Sequence, residues 1–185
     1  MMAGCSAWAA EAPAPAVIEP GAVWRDTDGR AINAHGGGIL YHGGTYYWYG
    51  EFKEGRTYLP KVNKAWGGTR APAVFKRGGK YYLFASGTTG WDPNPARSAV
   101  ADNIFGPWTD LGNPCRGAEA ELTFGGQSTY VLPIAGQPDR FVAMFDRWNK
   151  WNLEDSRYVW LPVTFDHDGR PLVEWHDRWS LAAAR

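Results

Sequence analysis

The chain has 185 residues with 19 basic and 19 acidic side chains, so its formal net charge is zero. That excludes the strongly basic nucleic-acid binder and the acidic solvating tail. Aromatic residues make up 15% of the chain, with 11 tryptophans, against 23 glycines and 13 prolines, which fits neither a disordered segment nor a helical bundle. The length suits one domain able to bury a core, and turn formers interleaved with aromatics predict many short strands and an all-β fold.

In chain order, residues 1–16 are small residues and prolines without strand or helix periodicity. Met2-Ala3-Gly4-Cys5 resembles the end of a bacterial lipoprotein signal, and Ala7-Trp8-Ala9 fits a small-x-small cleavage site, although no basic and hydrophobic regions precede them. Residues 1–20 are accordingly expected to be the remnant of an export signal with a linker from about residue 12, and residues 21–185 the domain. The expected location is outside the cytoplasm: secreted, periplasmic or lipid-anchored. Cys5 and Cys115 are not expected to form a disulfide, and no apolar run reaches the roughly 18 residues needed to cross a bilayer.

The next signal is self-similarity. Residues 39–49 (ILYHGGTYYWY) are matched by residues 74–84 (VFKRGGKYYLF), each an apolar strand, a Gly-Gly turn and an aromatic second strand. A looser third copy runs from Tyr130-Val131-Leu132-Pro133 through Gly136 to residues 140–145. Further strands are predicted over residues 96–101 with an edge at 106–108, and over residues 156–165 and 171–175 around the turn Asp166-His167-Asp168-Gly169. Hairpins recurring at tens of residues point to a β-propeller, with an antiparallel sandwich as the alternative. The stretch from Phe52 to Thr69 is too short for the rest of a blade, so something is missing between the first and second hairpins. Aligned on one another, the copies bring His35, Arg70 and Gln127 to one position, four residues before Ile39, Val74 and Val131. These polar residues either cap strand ends or converge on a site.

Several runs together resemble glycoside hydrolase family 43, in its exo-β-1,3-galactanase branch. They are Ala34-His35-Gly36-Gly37-Gly38-Ile39, Tyr46-Tyr47-Trp48-Tyr49-Gly50-Glu51, Ala71-Pro72-Ala73-Val74-Phe75-Lys76, Thr89-Gly90-Trp91-Asp92-Pro93-Asn94-Pro95, Gly126-Gln127-Ser128-Thr129-Tyr130 and Asp155-Ser156-Arg157-Tyr158-Val159-Trp160. The resemblance implies a five-bladed propeller that hydrolyses glycosidic bonds with inversion, here an incomplete propeller of about three blades lacking the second and third. Inversion needs a carboxylic acid to protonate the leaving oxygen and a base to activate water from the opposite face. Where much of the family has an aspartate base the chain has only His35-Gly36-Gly37-Gly38, and in the galactanase branch a glutamine matching Gln127 is thought to hold the water. Relatives carry the general-acid glutamate directly before the Ala-Pro-Ala run, and Arg70 stands there.

The resemblance implies that Glu51 contacts sugar hydroxyls and that His35 contacts sugar or helps a water-coordinated cation; Thr88, Thr89, Gly90 and Trp91, in the turn after the second hairpin, are expected to contact sugar through an indole platform, packing of Trp91 under its own loop being the alternative. Asp146 and Arg147 are expected to form a structural ion pair. No cofactor or metal is assigned, with a structural calcium left open. The expected partner is a polysaccharide or oligosaccharide, with neither nucleic acid nor a membrane span, and the open blade edges favour self-association. The alternative function is a non-catalytic carbohydrate-binding fragment or another family specificity toward arabinan or xylan side chains.

Overall fold

The computed structural model describes residues 17–52 and 70–181, with the backbone alone for Glu51, Arg70 and Ala71. The leader at residues 1–16 and the expected junction before Arg70 lie outside the described residues. The first hairpin pairs β2 (His35–His42) with β3 (Thr45–Glu51), and the second pairs β4 (Arg70–Arg77) with β5 (Lys80–Ser86). In both turns the two glycines hold positive φ, 57° and 84° in the first and 55° and 84° in the second. Glycine adopts that pair of angles at the least steric cost, so the Gly-Gly pairs favour this turn and with it the register.

The second hairpin continues through β6 (Arg97–Ala101) and β7 (Thr109–Gly112) into a four-stranded sheet. The edge expected at residues 106–108 begins three residues later, at Thr109. The third hairpin, β9 (Gln127–Pro133) and β10 (Phe141–Arg147), extends through β11 (Arg157–Phe165) and β12 (Pro171–Glu174). The short β8 (Cys115–Arg116) adds in parallel to β12. Val17–Ile18 (β1), in the stretch expected to be linker, pairs with Trp179–Ser180 (β13) and so ties the two described ends together. Two-residue strands carry no periodicity, and pairing between partners so distant in sequence leaves no local signal.

The third sheet lies between the other two. One face packs Val131, Ala143, Phe145, Leu161 and Val173 against Phe75 and Phe84 of the second sheet. The opposite face packs Leu132, Val142 and Met144 against Ile39 of the first hairpin. Burial on both faces explains why Phe141-Val142-Ala143-Met144-Phe145 is a continuous apolar run, buried throughout. By contrast β4 buries Ala73 and Phe75 but exposes Val74, because only one of its faces is covered. The first hairpin likewise exposes Leu40, Tyr47 and Tyr49, which share one face through the pairs Leu40 with Tyr47 and Gly38 with Tyr49.

Among the described residues no helix is long and apolar enough to cross a membrane. Cys115 is a buried free thiol whose pKa burial pushes up to about 12, which makes it unreactive.

Candidate functional site

His35, Arg70 and Gln127 are the first residues of β2, β4 and β9, opposite Glu51, Ser86 and Asp146 on the following strands. Each pairing shifts register just inside that position: between His35 and Gly38, between Arg70 and Ala73, and opposite Met144 and Phe145. Bulges bend a strand and re-aim its terminal side chain. In the first hairpin the bulge needs glycines. Gly36 has φ 60°, and a Cβ on Gly37 would stand 1.7 Å from the Tyr49 carbonyl oxygen.

Asp146 joins the first hairpin to the third sheet. Its side chain is almost fully buried; Oδ1 lies 3.4 Å from His35 Nδ1, and Oδ2 accepts the Gly36 N–H at 2.7 Å and the Thr129 hydroxyl at 3.1 Å. The expected ion pair with Arg147 does not form, because consecutive strand residues point to opposite faces. Arg147 instead donates to the Phe124 carbonyl and lies 5.4 Å from the Trp175 ring. Burial lowers the Arg147 pKa, with Glu119 opposing the shift.

His35, expected to contact sugar, is fully enclosed. Its ring stacks on Tyr158 at 4.7 Å, and Nε2 lies 3.4 Å from the Tyr158 hydroxyl. The imidazole therefore reaches a ligand only through its neighbours. Tyr158 receives the Ala34 N–H at 2.7 Å and donates to the Ile32 carbonyl. Burial pushes its pKa up to about 12, so the phenol keeps its proton. Among the described residues no three His, Cys, Asp or Glu side chains are grouped to hold a metal ion.

Gln127 is half-buried, and its amide nitrogen donates to the carbonyls of Gly90 at 2.9 Å and Asp92 at 2.8 Å. Two carbonyl acceptors fix which end of the amide is nitrogen, leaving Oε1 as the acceptor of the group. The loop it grips is organised by the buried Asn94, whose Oδ1 accepts the Gly87 N–H at 2.6 Å and whose Nδ2 donates to Thr89 Oγ1 at 2.7 Å. Thr89 donates in turn to the Asp92 carbonyl at 2.5 Å, so its hydroxyl serves the loop. Thr88 is half-buried beside it.

Trp91 sets its ring edge-on to Trp148 at 4.6 Å, and Trp148 lies 4.9 Å from His35. These two indoles and the exposed Trp151 wall a cleft of about 340 Å³ rimmed by Asp92, Lys150 and Asp155. The two carboxylates are already paired, Asp92 with Lys150 at 2.6 Å and Asp155 with Arg157 at 2.5 Å. The bond from Arg157 holds the Asp155 pKa below its usual value, the wrong direction for a proton donor.

The structure thus brings Gln127, Gly90 and Trp91 together, leaves Thr89 exposed with its hydroxyl bonded within the loop, and encloses His35. The Glu51 and Arg70 side chains lie outside the described residues. Asp146, Trp148 and Tyr158 were not singled out as site residues from the sequence. The aromatic runs containing the last two were the available signal, whereas nothing local marked Asp146 as the partner of His35.

An indole-walled cleft, on a loop whose backbone is gripped by the Gln127 amide, offers the apolar surface on which a sugar ring can stack. Comparison with solved structures agrees. A glycoside hydrolase family 43 β-1,3-galactosidase solved with galactodeoxynojirimycin is 51% identical over 61% of this chain, with a TM-score of 0.59. A second family 43 β-1,3-galactosidase covers 91% of the chain at 23% identity and TM-score 0.80. The exo-β-1,3-galactanase of Phanerochaete chrysosporium, solved with β-1,3-galactotriose, covers 89% at 20% identity and TM-score 0.74. The latter two show the likeness of fold alone. The chain spans 32% and 64% of the two β-1,3-galactosidases. The family 43 resemblance, with its β-1,3-galactosidase branch, therefore holds over part of the chain. No family model and no curated protein matches it.

Proposed function

We propose that the chain is a family 43 propeller domain of about three blades that recognises β-1,3-linked galactan, exo-cleavage with inversion being the activity of its parent fold. The observation that carries this reading is the Gln127 amide, locked by Gly90 and Asp92 beside the Trp91–Trp148 wall. In this role Oε1 accepts a hydrogen bond from the attacking water and aims it at the anomeric carbon. A neutral amide is a poor base, so Gln127 positions the water or acts through its imidic-acid tautomer. Trp91 offers an apolar face to the pyranose, and Glu51 accepts from sugar hydroxyls. With Arg70 in the place of the general acid, the chain binds sugar and turns it over slowly, which places it near the carbohydrate-binding alternative. Its substrate class and the lipoprotein-like run at residues 2–5 favour a place outside the cytoplasm.

Binding of β-1,3-galactobiose followed by calorimetry tests the site. Trp91→Ala and Gln127→Ala are each expected to weaken it about tenfold or more, a loss of at least about 1.4 kcal/mol. Unchanged isotherms for both variants would remove the cleft from the reading.

The exposed face of Leu40, Tyr47 and Tyr49 supports a second element of the proposal, self-association. Light scattering is expected to show a mass rising with concentration and falling to monomer in Tyr47→Glu. A monomer at every concentration would exclude it.

A further inference from the structure

Arg147 also lines a second, larger cleft of about 590 Å³ that shares no other residue with the first and none of the positions assigned to galactan above. Its volume falls within the roughly 300–1,000 Å³ of small-ligand sites. Trp175 and Phe124 supply its aromatic surface, with ring centroids 5.8 Å apart. The Trp175 ring is fixed by donation of Nε1 to Asp177 at 2.7 Å, and Arg147 is held near it by the Phe124 carbonyl. Arg116 is anchored in turn, donating to the Cys115 carbonyl at 2.8 Å. Two exposed carboxylates, Glu119 and Glu174, complete the lining.

The backbone here is strained. Glu119, Thr123 and Phe124 have φ of 60°, 50° and 56°, a region that disfavours residues with a Cβ. Arg147 on the Phe124 carbonyl and the Thr123 hydroxyl on the Asn94 carbonyl, at 2.6 Å, keep the segment in place.

Two guanidinium groups balance two carboxylates, so the cleft has no net charge with which to select an ion. It combines an indole surface, acceptor-only carboxylates and anchored N–H donors, which suits a neutral polyhydroxylated ring: the apolar face of a pyranose on the indole, its hydroxyls donating to the carboxylates. We propose that this cleft is a second saccharide-binding site, taking a neutral monosaccharide or short oligosaccharide apart from the Trp91–Trp148 cleft. It holds a polysaccharide at a place where no bond is broken. Only the choice of galactose as the sugar rests on the reading given above.

Calorimetric titration of the whole chain with β-1,3-galactobiose tests it in a Trp91→Ala background, which weakens the first cleft about tenfold or more. Binding is expected to persist there and to weaken at least about tenfold on adding Trp175→Ala or Glu174→Gln. Glu174→Gln changes one exposed carboxylate at a strand end, so folding is retained even where Trp175→Ala impairs it. No binding of galactobiose, xylose or arabinose in the Trp91→Ala background, or binding indifferent to Glu174→Gln and Trp175→Ala, overturns the proposal. Titration with xylose and arabinose separates the two readings. A Trp175-dependent response to those sugars and none to galactobiose would keep the second site and count against galactan.

Discussion

Asp146→Ala is expected to destabilise the protein by about 3–5 kcal/mol, the usual cost of removing one partner from a buried charged cluster. The carboxylate satisfies the Gly36 N–H and the Thr129 hydroxyl and faces His35 Nδ1, and without it the fully enclosed imidazole loses its partner on that nitrogen while the more accessible Gly36 N–H and Thr129 hydroxyl must turn to water or the Gln127 carbonyl. The loss falls on the junction between the first hairpin and the third sheet. In a domain of this size each kcal/mol moves the midpoint by roughly 2–4 °C, so the melting temperature should drop by about 6–20 °C. Tryptophan fluorescence reads the transition, since Trp148 lies against His35. Asp146→Asn keeps one carbonyl oxygen for the Gly36 N–H and should lose about half as much. A midpoint for Asp146→Ala within about 2 °C of the parent protein would show that the cluster does not hold the junction.

Arg70→Glu is expected to raise galactose release from β-1,3-galactan by about 10²-fold or more, within the usual span for general acid catalysis. A guanidinium keeps its proton above pH 12 or so and cannot deliver it to a leaving oxygen. A carboxyl at the same strand start can. Arg70 begins β4 as Gln127 begins β9, and these strands occupy facing sheets of one core. Arg70→Gln, which removes the positive charge without supplying an acid, serves as the control and should remain slow. The glutamate variant should also acquire a limb in its pH profile, activity falling as pH rises through the pKa of the new carboxyl. Equal rates for the glutamate and glutamine variants would place the acid elsewhere and leave the chain as a binding module.

The three hairpins were legible because their determinants are local. Gly43-Gly44 and Gly78-Gly79 permit the left-handed backbone of a tight turn, and the flanking aromatic and branched residues suit a pleated surface. The common offset of His35, Arg70 and Gln127 was legible as well, and the bulges beside them explain why it recurs. Their separate fates were not. His35 is sealed by Tyr158, 123 residues away, whereas Gln127 is turned toward a loop 35 to 37 residues earlier. One position in a repeat thus yields an enclosed imidazole and an oriented amide, because the neighbours it packs against differ.

Asp146 and Arg147 show the same limit in two adjacent residues. Their opposite charges suggest a pair, yet strand alternation sends one to His35 and the other to the Phe124 carbonyl. By itself the sequence determined the all-β class, the turns and most strand positions, since each depends on residues within one hairpin. The tertiary structure alone decided that Val17–Ile18 pairs with Trp179–Ser180, that Asp146 binds the Gly36 N–H, and that Trp91 meets Trp148 across a cleft. Those partners are far apart in the chain, and only the packing of the first hairpin and the second sheet on opposite faces of the third brings them together.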